Sequence, residues 1–516
     1  MFKIYKVKKL ERQKIIDYIK KQSENSKEIT YRDVEIKNIK LTLVYTDSVS
    51  NSGDISKYVI KSIVDIVNAD AIEKEINSEE KVKITKNNNK SNKNNLRLTK
   101  KFKDSIYASS VKELDISKDD IFYYIYSGFV LLVSDTEFLA IELKQNLSRS
   151  VTEPTTEATI KGPKDAFNEN YKTNIGLIRR RIKDEKLIVK ERKIGRRTKT
   201  QLGILYISDI AKTSHVKEIE EKLDSIDIDG IVDSNDVREM LVSGGSSTDF
   251  PTIINTERPD LVTQFLLEGR IALVIDNTPY VLVLPSFLTD HFKSVDDNYQ
   301  KNTTVYFMRV IRILSFFVTL VTPAIYIAIT TFNHEALPTN LLISFAVQRS
   351  GVPFPAFLEA IIMIIAFEFL REGDNRVPST MGSTLSIVGA LVIGDAAVSA
   401  GIVSPIMLIV IAMTKITGLL FPDINFSNAI RNWRIIFLIC ASIAGLFGFM
   451  IGLIVFVFKL SSINILHTPY TYPFAPIDSK EIVDDTINRK NIVSLKNRKS
   501  ILTSNITRLK VNNKES

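Results

Sequence analysis

Four ionisable residues stand inside otherwise apolar stretches of this 516-residue chain. Glu359 lies within the run from Phe354 to Leu370, and Glu368 near its end, where with Arg371 it reads as a snorkelled surface pair. Asp395 follows Gly394 near the middle of MGSTLSIVGALVIGDAAVSAGIVSPIMLIVIAMTKITGLLFPD, and Lys415 lies in the second half of that stretch. A charge in hydrocarbon is costly unless it meets water or a partner; for Asp the cost is about 2.5–3.5 kcal/mol on insertion scales. Gly394, Asp395 and Gly401 divide the stretch into apolar halves too short to span a bilayer separately. That is the pattern of a re-entrant or broken helix, which is tolerated only against protein or a water-filled cavity. Asp395 and Lys415 either line a conduction path or pair with each other and close a packing gap. Glu359 needs a partner or water for the same reason.

Enzyme chemistry has no such foothold. There is no Gly-rich phosphate loop, GxSxG elbow or HExxH pair. A single Cys excludes a disulfide framework, a Cys-rich zinc module and an iron–sulfur site. The four His, at 215, 291, 334 and 467, are too scattered for a His-cluster metal site. SIDIDGIVDSND, from Ser225 to Asp236, imitates a calcium loop, but it opens on Ser and closes on Asp without a helix–loop–helix frame. No cofactor and no metal is expected.

The elements that position these residues fall into two unlike parts. Mean hydropathy is +0.05 only because a charged, mixed region to about residue 300 is averaged with apolar runs between Val305 and Leu460. No secretory signal opens the chain, so the first part is expected in the cytoplasm. It repeats itself. LTLVYTDSVSNSGDISKYVIKSIV from Leu41 and LGILYISDIAKTSHVKEIEEKL from Leu202 both read as strand, turn and amphipathic helix, aligning Tyr45 with Tyr206. GFVLLVSDTEFLAIEL from Gly128 and GRIALVIDNTPYVLVL from Gly269 both read as hairpins, turning near Asp135 and Asp276. This predicts a basic N-terminal extension over 1–40, a first α/β subdomain over 41–160 and a second over 161–300. The Lys/Asn-rich tract 81–103 is an insertion expected to be disordered.

Between Ile178 and Thr200 stand eleven Lys and Arg, read as a solvated helix face and loop or as a contact for anionic lipid or an acidic neighbour. No aromatic residues interleave them, which argues against nucleic acid. An α-helical polytopic membrane domain is expected over 305–460, with four full spans plus the re-entrant element, followed by a tail over 461–516. Arg309 and Arg312 are expected to snorkel at the cytoplasmic end of the first span, and Pro323 to kink it. The last span, Ile435 to Phe458, carries Gly445, Gly448 and Gly452, a small-residue face that permits close helix packing.

Five blocks in order resemble the A subunit of the spore germinant receptors, the GerA family. GPKDAFNENYKTNIGLIRRRIKD from Gly162 is similar to the block that links that family's two soluble subdomains. Pro163, Phe167, Glu169, Arg179 and Arg180 are its candidate linking residues, while Lys164 and Asp165 stand where an Arg-Glu pair is usual. ERPDLVTQFLLEGRIALVIDNTPYVLVLPSF from Glu257 resembles the block before the first span. LPTNLLISFAVQRSGVPFPAFLEAIIMIIAFEFLRE from Leu337 and SIVGALVIGDAAVSAGIVSPIM from Ser386 resemble the membrane core, and PYTYPFAP from Pro469 the segment after it. The resemblance spans about Leu41 to Pro476.

The resemblance implies a subunit of the spore inner membrane that works with a permease-like B subunit and a lipoprotein C subunit. It implies a homo-oligomer whose ion path opens to start germination. A stage V sporulation protein AF-type paralogue, a secondary transporter and a scaffold subunit are the competing readings.

Overall fold

The structure, a computed structural model, describes residues 12–65, 110–376, 394–488 and 498–508, apart from 24–25, 27, 37–38, 116–119, 136–137, 146–152, 155, 158, 244–247, 500 and 504. The Lys/Asn tract 81–103 lies outside the described residues.

The N-terminal half is built on two five-stranded antiparallel sheets. The first contains β1 (Ile29–Ile36), β2 (Ile39–Thr46), β3 (Val111–Glu113), β4 (Phe129–Ser134) and β5 (Phe138–Glu142), in the order β1-β2-β4-β5-β3. The second contains β6 (Leu187–Ile194), β7 (Thr200–Ile207), β8 (Ile254–Thr256), β9 (Ile271–Ile275) and β10 (Val281–Leu284), in the order β6-β7-β9-β10-β8. The two orders are the same. Tyr45 on β2 and Tyr206 on β7 occupy equivalent strands, and Asp135 and Asp276 stand at the turns of the β4–β5 and β9–β10 hairpins. Leu43 pairs with Leu132 across β2–β4 as Ile204 pairs with Leu273 across β7–β9.

The helices repeat as well. Helix α1 (Arg12–Gln22) precedes β1, and α2 (Ile121–Tyr126) precedes β4. In the second unit, α3 (Tyr171–Arg179) precedes β6, α4 (Thr213–Asp224) and α5 (Ser234–Ser243) follow β7, and α6 (Pro259–Glu268) precedes β9. Both faces of each sheet are covered, so the central strands are apolar throughout. Leu43, Val130 and Ile141 pack on one face of the first sheet with Ile55 and Val59; Val44, Leu131 and Val133 pack on the other with Ile15, Ile19 and Ile125.

Two expectations change here. The first unit begins at α1 and β1, inside the region read as an extension, because ITYRDVEI is an edge strand. Its exposed Arg32, Asp33 and Glu35 hide the strand pattern. The basic stretch, read as a helix face and loop, also contains the edge strand β6, LIVKERKI, between the end of α3 and the turn at 196–198.

The C-terminal half is a helical bundle: α7 (Asn302–Thr331), α8 (Thr339–Arg349), α9 (Ala356–Arg376), α10 (Pro405–Gly418) and α11 (Ile424–Ser462). Helix α7 is continuous through Pro323. Helix α11 is not one rod. Ala444 and Gly445 leave helical geometry, Gly445 with φ +59°. In a straight helix, residues 433 and 456 would stand about 35 Å apart. Here the rings of Trp433 and Phe456 are 5.0 Å apart, and those of Phe437 and Phe449 are 5.6 Å apart. The segment read as a single last span is therefore a helical hairpin, with arms 424–443 and 446–462. Among the described residues, α7 is long and apolar enough to cross a membrane, the stretch 424–462 is so by length and composition when its two arms are taken together, and α10 is a shorter apolar helix.

Candidate functional site

Helix α3 places the linking block between the two sheets. Asn170 caps it by accepting from Thr173 N, and the Tyr171 ring lies so close to β7 that a side chain at Gly203 would strike it. Arg179 is fully buried. Its Nη2 is 2.6 Å from Glu28 Oε2, its Nε donates to the same carboxylate at 2.8 Å, and its guanidinium stacks 4.0 Å from the Tyr126 ring centroid. Nη1 and Nη2 also donate to the carbonyls of Asp184 and Leu187. One guanidinium thus joins groups of the first unit, Glu28 and Tyr126, to the backbone of the second. Arg180, next to it, is exposed. Phe167 is buried and donates its N–H to Glu257 O, Pro163 O accepts from Arg258, and Glu169 O accepts from Asn277 N.

A second set of charges joins sheets to bundle. Arg309 and Arg312 converge on Asp297 at 3.0 and 2.9 Å, so they act as internal clamps rather than snorkelling. Arg270 pairs with Asp290 at 2.6 Å. Asp485, from the tail, lies 2.7 Å from both Lys293 and Lys499. Burial raises the Asp485 carboxyl, but the two ammonium groups outweigh it and hold the acid well below its ordinary value. Asp290 is held low in the same way, burial being outweighed by Arg270, Lys293 and Lys499. His291 Nδ1 is 2.9 Å from Asp423, and its ring stacks on Phe426. Most of these groups, though not Asp297 or Arg312, border a cavity of about 600 Å³ between α6, residues 290–298, residues 422–425 and the tail. Glu157 also lines it, and burial pushes its carboxyl up to about 7. The tail is thus part of the fold: Leu502 is buried beside Phe287 and Tyr472, and Thr503 bridges to Ala211.

Within the bundle, Glu359 is completely buried. It accepts from Ser404 N at 2.8 Å and Ser404 Oγ at 2.7 Å, at the N-terminus of α10, and Arg349 of α8 stands 3.5 Å away. An anion suits that helix end. Lys415 does not meet Asp395. It pairs with Glu368 at 2.6 Å, a carboxylate shared with Arg431 and Arg371, each at 3.1 Å. The physical reason is distance: Lys415 lies in the last turn of α10, about 15 Å along the axis from its start. Asp395 is exposed in a short helical turn before α10, and among the described residues it has no ion-pair partner. The preceding half of the broken segment, residues 377–393, lies outside the described residues. Gly448 and Gly452 are packed against the other arm of α11: a Cβ at Gly448 would collide with the Cys440 carbonyl, and one at Gly452 would stand 3.0 Å from the Phe437 ring.

Residues 17–501 match the model of the Bacillus/Clostridium GerA spore germination proteins. The chain belongs to the GerA family. The match takes in the second half of α1, β1 and most of the described tail, which extends the relationship beyond Leu41–Pro476 at both ends. Spore germination protein KA of Bacillus subtilis is 42% identical over 370 residues, covering 71% of this chain and 68% of that protein. Spore germination protein B1 of the same organism is 35% identical, with 72% and 77% covered. Spore germination protein GerLA of Bacillus cereus is 34% identical, with 71% and 75% covered. The crystal structure of the N-terminal domain of the A subunit of the Bacillus megaterium spore germinant receptor GerK3 aligns at 28% identity and a TM-score of 0.36. It covers 55% of this chain and 97% of that one.

Sequence reasoning missed Glu28, Asp297 and Asp485. Each is an acidic residue in a polar surrounding, and only tertiary contact distinguishes it from a solvated one. Arg309 and Arg312, three apart at the start of an apolar run, were the one available signal that acids would gather there.

Proposed function

We propose that this chain is the A subunit of a nutrient germinant receptor, a non-enzymatic component of the spore inner membrane. Its sheets lie on the cytoplasmic side, and an assembly of copies forms a gated ion path beside a permease-like B subunit and a lipoprotein C subunit. The observation that carries the reading is the bundle's surface. Phe317, Ile443, Phe447, Ile454 and Phe458 stand exposed on its helices, a belt suited to lipid. Helix α8 differs. It has no buried residue, and Asn340, Ser344 and Gln348 form an exposed polar row at i, i+4, i+8. A polar row and an exposed Asp395 are costly in lipid and suit a hydrated path between copies.

The buried ion pairs provide the coupling. A change in the sheets reaches α7 through Asp297 and reaches the tail through Asp485. Asp395→Asn is expected to preserve protein level and assembly while changing cation release from germinating spores, and Asp395→Leu to reduce release further. Ordinary release kinetics in Asp395→Leu spores, at ordinary protein level, refute a role for this residue in the path.

A further inference from the structure

Among the described residues, the end of the bundle that faces the sheets gathers a cluster of positive charge around one carboxylate. Arg371 on α9, Lys415 on α10, and Arg431 and Arg434 on the first arm of α11 gather around Glu368. Four cations against that carboxylate leave an excess of 4 − 1 = 3. The next acid along α9, Glu372, is exposed and engaged in an interaction of its own. Arg434 sharpens the imbalance. It is 2% exposed, and neither its Nε nor its Nη2 has a hydrogen-bond partner. A buried guanidinium with two of its three nitrogens unsatisfied is costly, so a site that retains one is built for an anion that completes it.

The surroundings indicate which anion. Beside the cations, Ile365 and Phe369 of α9 and Ile416 and Leu419 of α10 are exposed, Phe369 at 74% and Leu419 at 84%. Polar capture and an apolar flank lie next to each other, which a free phosphate does not use and an acyl lipid does. The level also fits. Asp423, which caps α11, contacts His291 at the junction with the sheets, and Arg431 follows about two turns later. Basic pockets between helices at the cytoplasmic end of a bundle are where anionic headgroups are held.

We propose that Arg371, Lys415, Arg431 and Arg434 bind the phosphate of an anionic phospholipid, whose chains lie along α9 and α10. The proposal rests on the membrane reading above. Because the lipid would bridge α9, α10 and α11, it would tie the state of the bundle to the charge of the leaflet around it.

The chain's one tryptophan, Trp433, adjoins Arg434 in sequence and offers an intrinsic probe. The full-length protein in mixed micelles is titrated with brominated phosphatidylglycerol or brominated phosphatidylcholine while Trp433 fluorescence is read. Half-quenching is expected at about tenfold less phosphatidylglycerol than phosphatidylcholine, the scale of one or two charge-assisted hydrogen bonds. Arg434→Gln and, separately, the less buried Lys415→Gln should bring the two lipids close to parity, with helical circular dichroism unchanged. Equal quenching of the wild type by both lipids overturns the headgroup site alone, as does an undiminished preference in both variants. Loss of the preference on adding millimolar inorganic phosphate would assign the site to free phosphate and overturn the lipid. Quenching by neither lipid overturns the membrane reading on which the site depends.

Discussion

Replacing Arg179 by Met removes the group that joins the two sheets while keeping a side chain of similar length. The consequence can be worked from the contacts. Glu28, with 5% of its side chain exposed, loses its guanidinium partner and among the described residues keeps only the hydrogen bond from Ser48 Oγ at 2.7 Å. The carbonyls of Asp184 and Leu187 lose the guanidinium as a donor, and the Tyr126 ring loses its stacked cation. Breaking a buried pair by removing one partner costs about 3–5 kcal/mol, chiefly because a charge is left buried and alone. Against a typical domain stability of about 5–15 kcal/mol, that is enough to separate the units or unfold one of them. Thermal unfolding of the full-length protein, followed by circular dichroism in detergent, should show a large fall in the midpoint of the sheet transition. The double variant Glu28→Leu, Arg179→Met removes both charges and should recover a substantial part of the loss. Strict additivity of the two substitutions, or a cost below about 1 kcal/mol for Arg179→Met, would show that the pair is not a clamp.

Other residues make further tests. The Glu157 carboxyl is raised by burial from 4.5 to about 7, so folding takes up a proton there; its stabilising contribution is full below about 4.5 and is lost as pH rises towards 7. Glu157→Gln should therefore match the wild type in stability at pH 4 and exceed it at pH 8 by at most about 3 kcal/mol, seen as a higher melting temperature at pH 8 only. Asp485 is held low by Lys293 and Lys499, so its contribution is present above the ordinary carboxylate pKa and disappears as pH falls through its depressed one. Asp485→Asn should expose the tail to limited proteolysis at pH 7, where the wild-type tail stays protected. Gly445→Ala places a Cβ at φ +59° and 2.7 Å from the Phe332 Cβ, and Leu446 N already depends on Asn333 Oδ1 at the same turn. Its melting temperature should fall by more than that of Gly373→Ala, whose Cβ meets nothing within 4 Å.

The duplication was legible because a strand buried on both faces must be apolar along its length. β2, β4, β7 and β9 therefore announced themselves, together with the Asp-bearing turns between them. The family was legible for a related reason: its blocks coincide with elements whose packing demands particular residues, as at Gly203 beneath Tyr171. Edge strands were harder to read. β1 and β6 face water on one side and carry charge at the positions that alternation would reveal. The hairpin in α11 was hidden altogether, because two apolar arms joined through Ala444 and Gly445 have the composition of one long apolar helix. The partners of the charged residues were beyond reach as well. Arg179 and Glu28 are separated by 151 positions, Lys293 and Asp485 by 192, and nothing local links them. Lys415 chose Glu368 over Asp395 because α9 and α10 lie side by side, whereas Asp395 stands at the far end of α10. Residue type determined that these charges had to be neutralised, since an unpaired buried charge is costly wherever it lies. Which acid met which base was decided only by the tertiary structure, because the energy of an ion pair depends on a few ångströms of separation and on the water excluded around it.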